Sequence, residues 1–184
     1  RLKIARDAVK LAHVTGHIFD GSSFQAGAGG VSLAFTKFLG DLLEREGYVA
    51  SWSMGGTTEY IVDILHKGRL KKLLTGQAFD LAAVESLRDD HQHYVAGVDH
   101  YANLHGKGCL VNNLDVVVLG ATEIDINFNV NTVTFSNNVL AQPIGGHQDT
   151  AAGARFTIIT APMMRGRLPV VIDEGTTGTT PGET

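Results

Sequence analysis

Eight residues near the middle of the chain, Leu114-Asp115-Val116-Val117-Val118-Leu119-Gly120-Ala121, limit its possible folds more than any other stretch. A short, valine-rich apolar run has no polar side to turn toward water, so it suits a strand buried on both faces of a parallel sheet covered by helices. Other strand-like segments alternate with helical ones, which gives an α/β fold with a mostly parallel sheet flanked by helices. At 184 residues and 43% hydrophobic content the chain is long enough for one such domain, and a second independent core is not expected. The sequence opens on Arg1 and ends in the turn-like Thr176 to Thr184, so residues 1–184 are read as a single domain within a longer two-domain chain, with part of a binding face outside it.

Read in order, Leu2, Ile4, Ala5, Ala8, Val9, Leu11 and Ala12 recur at helical spacing and predict an amphipathic helix ending near Gly16. His17 to Gln25 follows as a short strand or turn, and Ala26 to Gly30 as a glycine-rich bend. Val31 to Glu46 is a second amphipathic helix, built on Leu33, Phe35, Phe38, Leu39, Leu42 and Leu43. The same layout repeats: Tyr48 to Met54 as strand, Gly55 to Thr58 as turn, and Glu59 to Lys67 as a helix closed by Gly68. Leu70 to Leu74 and Gln77 to Phe79 carry strand character, Asp80 to Leu87 is helical, and His91 and His93 fall in a solvated loop. Thr122 to Asn131 alternates as a strand that opens into a hairpin through Ser136-Asn137-Asn138.

Two stretches carry candidate chemistry. Gly27, Gly29 and Gly30 stand between a strand and a helix start, a layout that suits a phosphate or carboxylate. Further on, Ile144-Gly145-Gly146-His147-Gln148-Asp149-Thr150 leads through small residues and Arg155 into the β-branched run Phe156 to Thr160. Here glycines permit close backbone approach and a helix start offers N–H donors, so the stretch is either an anion-binding turn or a tight turn between packed elements. The first glycine bend is not a dinucleotide fingerprint, because Ser32 stands where the third Gly or Ala is needed, and no phosphate-loop G-x-x-x-x-G-K-[ST] occurs.

Charge narrows the partners. A net charge of -4 from 15 basic and 19 acidic residues, without a Lys/Arg block, argues against a nucleic-acid binder. The one cysteine, Cys109, cannot form an intrachain disulfide and points to a reducing compartment. Metal-ligand spacing is absent, and no apolar run is long enough to cross a bilayer. The expectation is a soluble cytoplasmic protein with no metal and no membrane partner.

Several long blocks, in order, resemble the alpha subunit of bacterial citrate lyase. They are Phe24 to Gly30, the block from Lys71 through Phe79-Asp80, Asn112 to Ala121, Gly145 to Ala154, Ala161-Pro162, Arg165-Gly166-Arg167 and Pro181-Gly182-Glu183. The resemblance covers nearly the whole sequence and is read as the second half of that subunit. It implies a coenzyme A transferase-like fold and the exchange of acetate for citrate on the thiol of an acyl carrier protein. That gamma subunit bears a coenzyme A-like prosthetic arm, and a separate beta subunit, the citryl-lyase, then cleaves the citryl thioester. A homo-oligomer and no tightly bound cofactor of its own are further expectations, and the reacting thiol belongs to the partner rather than to Cys109.

On that resemblance, each tetrahedral intermediate places negative charge on oxygen, and Gly29, Gly30, Gly145 and Gly146 are the candidates to supply or permit N–H donors. His147 and Asp149 share the second turn. Citrate's carboxylates call for cations or neutral donors, for which Asn112, Arg155, Arg165, Arg167 and His147 are the candidates, each arginine being equally readable as a surface ion pair. Many coenzyme A transferases carry a nucleophilic glutamate at a strand end, whereas Ser51-Trp52-Ser53-Met54 holds no carboxylate, and Glu59 is explained by a helix start. A covalent enzyme intermediate is therefore not expected. Rival readings are a non-catalytic assembly module, or a related transferase for free coenzyme A thioesters or citramalate.

Overall fold

The structure is a computed structural model describing residues 1–103 and 105–175; Pro181-Gly182-Glu183, part of the resemblance, lies outside the described residues. Its elements run α1 (Leu2–Val14), β1 (Phe24–Ala26), α2 (Gly30–Glu46), β2 (Ser53–Thr57), α3 (Glu59–His66), β3 (Leu73–Ala78), α4 (Leu81–Asp89), β4 (His93–Val95) and α5 (Val98–Ala102). A 3-10 turn at Leu110–Asn113 then leads into β5 (Val116–Gly120), β6 (Glu123–Asp125), β7 (Val130–Asn131), α6 (His147–Gly153) and β8 (Phe156–Thr160). The short β9 (Met164–Arg165), β10 (Leu168–Pro169) and β11 (Val171–Ile172) follow. Six strands form one parallel sheet in the order β4-β3-β2-β1-β5-β8, as the α/β reading requires.

The apolar run occupies β5 beside the sheet's centre, where Val116, Val117 and Val118 are fully buried. Each such side chain contributes about 1.5–3 kcal/mol relative to exposure. Alternation then divides the core. Val116 and Val118 face the cluster made with α1 to α4, including Phe35, Leu39, Ile61 and Ala83, while Val117 and Leu119 face a second cluster with Met54, Cys109, Val111 and Leu114. Onto that second face pack α5, the 3-10 turn and α6.

Four local expectations change. Gly55 and Gly56 are not a turn but part of β2, where the pairing with β3 shifts register; Gly55 takes φ +102°, a bulge conformation that glycine adopts at no steric cost. The two strand pieces around residues 70–79 are the single strand β3. His93 is buried on β4 rather than solvated, with Nδ1 at 2.9 Å from the Ser86 hydroxyl and Nε2 on the Thr75 hydroxyl, which in turn meets Thr57 at 2.5 Å. The alternating stretch after β5 is broken at residues 126–129, because Asp125 accepts from the Asn127 and Asn129 N–H groups, each at 2.9 Å, and closes a turn between β6 and β7.

Candidate functional site

Strand order determines where the connections part. From β1 the chain steps through β2, β3 and β4 by α2, α3 and α4 on one face, then returns to β5 on the other side of β1. The segment leaving β1 becomes α2 on one face, and α6, which follows β5 in the chain, packs on the opposite face. The carboxyl ends of β1 and β5 therefore flank a crevice, the usual ligand position in an open α/β sheet.

Both glycine stretches come to this rim. Gly27 directly follows β1, and its N–H donates to the Val118 carbonyl of β5 at 3.3 Å. Gly29 is the N-cap of the seventeen-residue α2 without a side-chain cap, so its first-turn N–H groups face outward, with the Arg1 guanidinium beside Gly30. Gly146 is the N-cap of α6, also without a side-chain cap. His147 sits 2.8 Å from the carbonyl of Gly120 at the end of β5, and 3.3 Å from the Thr132 hydroxyl. A carbonyl only accepts, so Nε2 carries the proton and Nδ1 remains an acceptor. Burial pushes the imidazole below its ordinary pKa, against a smaller upward pull from the Gly120 carbonyl, and His147 is neutral at pH 7.

Two residues absent from the candidate set join these turns. Gln25, at the centre of β1 and 5% exposed, places Nε2 2.7 Å from the Tyr101 hydroxyl of α5. The Tyr101 ring lies against Gly146, where a Cβ would stand 2.7 Å from both Cε1 and Oη. Burial raises the Tyr101 pKa; the Gln25 bond lowers it and the Asp149 carboxylate raises it, so the phenol stays protonated. A polar residue interrupting a buried three-residue strand was the signal available for Gln25. For Tyr101, which lies 76 positions from Gln25, the sequence offered none.

The candidate carboxylate ligands divide. Arg165, in the β9–β10 hairpin, donates to the Ala121 carbonyl at 3.1 Å, just past the carboxyl end of β5, and lies over the Phe135 ring. Arg167 is exposed in the same hairpin. Arg155 stands at the opposite edge of the sheet: it precedes β8 and pairs at 3.2 Å with Asp115, which precedes the parallel β5. Asn112 lies in the 3-10 turn before β5, its amide on the Gly106 carbonyl at 3.2 Å. A five-residue strand is about 16 Å long, so neither Arg155 nor Asn112 joins the rim.

A cavity of about 750 Å³ lies elsewhere, between α3 and α4, and its lining includes Glu59, Asp63, Glu85, Asp89 and Asp90. That many carboxylates would repel a tricarboxylate. Among the described residues there is no cluster of three or more His, Cys, Asp or Glu that could hold a metal, and no helix long and apolar enough to cross a membrane.

Residues 1–184 match the family described as citrate lyase, alpha subunit (CitF). The citrate lyase alpha chain of Klebsiella pneumoniae is 48% identical over 181 residues, covering 98% of this chain and 36% of that protein; the Escherichia coli K12 chain is 44% identical over 181 residues with the same shares. Among solved structures, the alpha subunit of citrate lyase from Streptococcus mutans, in complex with citrate, superposes with a TM-score of 0.91 at 39% identity, over 97% of this chain and 35% of that one. RipA from Yersinia pestis (TM-score 0.69, 18% identity, 96% of this chain and 42% of that one) and a malonate decarboxylase alpha subunit from Acinetobacter baumannii (0.66, 10%, 95% and 38%) share the fold. The chain thus spans about 36% of its curated relatives, closer to a third than to the expected half. On the match along its whole length, the chain belongs to the citrate lyase alpha subunit family.

Proposed function

We propose that this chain forms part of an acyl-thioester transferase that exchanges acetate for citrate on the thiol of an acyl carrier protein. The observation that carries the proposal is the meeting of both glycine turns at the carboxyl ends of β1 and β5, in a chain of the citrate lyase alpha subunit family. The Streptococcus mutans relative, bound to citrate, supports the substrate. A citrate carboxylate oxygen attacks the acetyl thioester carbonyl, the C–S bond breaks and thiolate leaves. The thiolate then attacks the citryl carbonyl of the mixed anhydride, and the C–O bond to acetate breaks. One carboxylate enters and one departs, so the exchange has no net proton to supply.

The chemical need is therefore to stabilise two transient oxyanions, and uncapped N–H donors at Gly29–Gly30 and Gly145–Gly146 serve it; one such donor is worth about 3 kcal/mol. Neutral His147 adds no repelling or competing charge, and Arg165 with Arg167 provides cations for citrate's remaining carboxylates. Ser53, in the stretch that lacks a glutamate, is fully buried, in keeping with exchange without an enzyme-bound acyl group. The prosthetic arm on the gamma subunit, the beta citryl-lyase and further copies of the chain are the partners, in the cytoplasm.

The test is acyl exchange by the full-length polypeptide with acetyl-loaded carrier protein and labelled citrate, using acetyl-coenzyme A as control donor. Citryl thioester on the carrier protein is expected. No transfer with either donor from a folded protein would refute the proposal and leave an assembly role.

A further inference from the structure

Gln25 is an unusual residue for its place. It pairs in register with Val117, its side chain lies on the face of Met54 and Val117, and an aliphatic residue there would need no partner. Its Nε2 meets Tyr101, yet its Oε1 is buried with no hydrogen-bond partner, a condition that destabilises the fold. Gly55 leaves room for the amide, since a Cβ there would stand 3.0 Å from Nε2. The Tyr101 hydroxyl receives that bond and makes no other among the described residues, so its own proton is uncommitted. This hydroxyl sits against Gly146, at the turn where the proposed reaction needs donors.

We propose that the Tyr101 hydroxyl, held by Gln25, donates a hydrogen bond to the thioester carbonyl oxygen of the acyl carrier substrate and is a catalytic residue of the exchange. The inference rests on the transferase reading and adds a side-chain donor to the backbone donors. Burial and the Asp149 carboxylate both oppose phenol ionisation, which keeps the group a donor. The same carboxylate disfavours a ligand that arrives already charged, so the neutral thioester carbonyl suits this position better than a citrate carboxylate. Gln25 is a positioning residue: its N–H occupies a phenol lone pair and leaves the phenol's own proton for another acceptor.

The experiment uses the full-length polypeptide, acetyl carrier protein labelled with 13C at the thioester carbonyl, and the variants Tyr101→Phe, Gln25→Leu and Gln25→Glu. Tyr101→Phe keeps the ring against Gly146 and should fold. Its kcat for citryl exchange should fall about 100-fold with KM for citrate little changed. In the absence of citrate, the infrared carbonyl band of the bound thioester should lie at lower frequency in the wild type than in Tyr101→Phe. Gln25→Leu should reproduce part of both effects, and Gln25→Glu, which keeps an acceptor for the phenol but supplies no N–H, should not rescue them. Wild-type kcat and an unchanged band in Tyr101→Phe, with an active parent enzyme, would overturn the inference and leave the transferase reading intact. A band shift lost in Tyr101→Phe, in a parent that performs no exchange, would refute the transferase reading and retain the hydroxyl contact. No shift and no exchange in the parent would refute both.

Discussion

Gly145 and Gly146 are adjacent, yet replacing each by alanine should have opposite consequences. A Cβ on Gly145 meets nothing within 4 Å, whereas on Gly146 it stands 2.7 Å from Tyr101 Cε1, 2.7 Å from Oη and 3.0 Å from Cζ. Such approaches are too short to persist, so the ring or the turn must move. The ring is held by the Gln25 bond, and moving it leaves the buried Gln25 amide without its one partner. Overpacking costs about 1–3 kcal/mol and the orphaned amide about 1–3 kcal/mol more; part of the first is relieved by incurring the second, so Gly146→Ala should lose about 2–3 kcal/mol. That loss lowers the thermal midpoint, by less per kcal/mol the longer the cooperative unit. Gly145→Ala should stay within about 0.5 kcal/mol of the parent, or gain slightly from a less flexible unfolded chain. Thermal and urea unfolding of the full-length polypeptide, with citryl exchange on the same samples, would check both. Equal midpoints and equal exchange rates for the two variants would refute the contact between Tyr101 and the turn.

Arg155→Met should leave citryl exchange unchanged, because this guanidinium pairs with Asp115 at the amino edge of the sheet. Its side chain is 69% exposed, so urea unfolding should show at most about 0.5–1 kcal/mol of loss, and a large fall in exchange rate would contradict the placement. His93 and His147 are both held below their ordinary value of 6.5, chiefly by burial. The unfolded chain therefore takes up protons first as the pH falls, and stability that is level above about pH 6.5 should decline through and below it. Urea midpoints measured from about pH 7.5 to about pH 5.5 should show the decline, more weakly in His147→Gln; a midpoint that rises on acidification would contradict it.

How far the sequence could be read depended on the direction in which the chain crosses the sheet. The run at β5 and the apolar spacing of α1 and α2 gave the class directly, since burial on two faces or one leaves a periodicity in composition. Arg155 shows where linear reading fails. It lies six positions after Asp149, but α6 begins beside the carboxyl end of β5 and delivers the chain to the start of β8 at the other edge. At about 1.5 Å per residue, seven helical residues cover about 10 Å, enough to carry Arg155 away from a turn it follows closely in sequence. Gly55 and Gly56 misled in another way, since a glycine pair marks a bulge inside a strand with the same letters that mark a turn. Tyr101 had no local signal at all, because its role depends on a contact with β1 across the return connection.

Two buried polar groups on the sheet show how structural and functional polarity differ. Thr57, Thr75, His93 and Ser86 form a chain of contacts across β2, β3, β4 and α4, and each side chain has a partner within it. Complete pairing of this kind fixes register and asks for nothing further. Gln25 breaks the same apolar rule on β1, yet keeps an unpaired acceptor and holds a phenol whose own proton is uncommitted. If Gln25 served packing alone, selection for stability would favour an aliphatic residue beside Val117, which would remove an unpaired group costing about 1–3 kcal/mol. The Ser53 hydroxyl on β2 is also buried without a partner among the described residues, so an unpaired group alone does not mark a site; the Gln25 amide differs in holding a phenol at the crevice between the diverging connections. The network through His93, far across the sheet on β4, is explained by the fold alone.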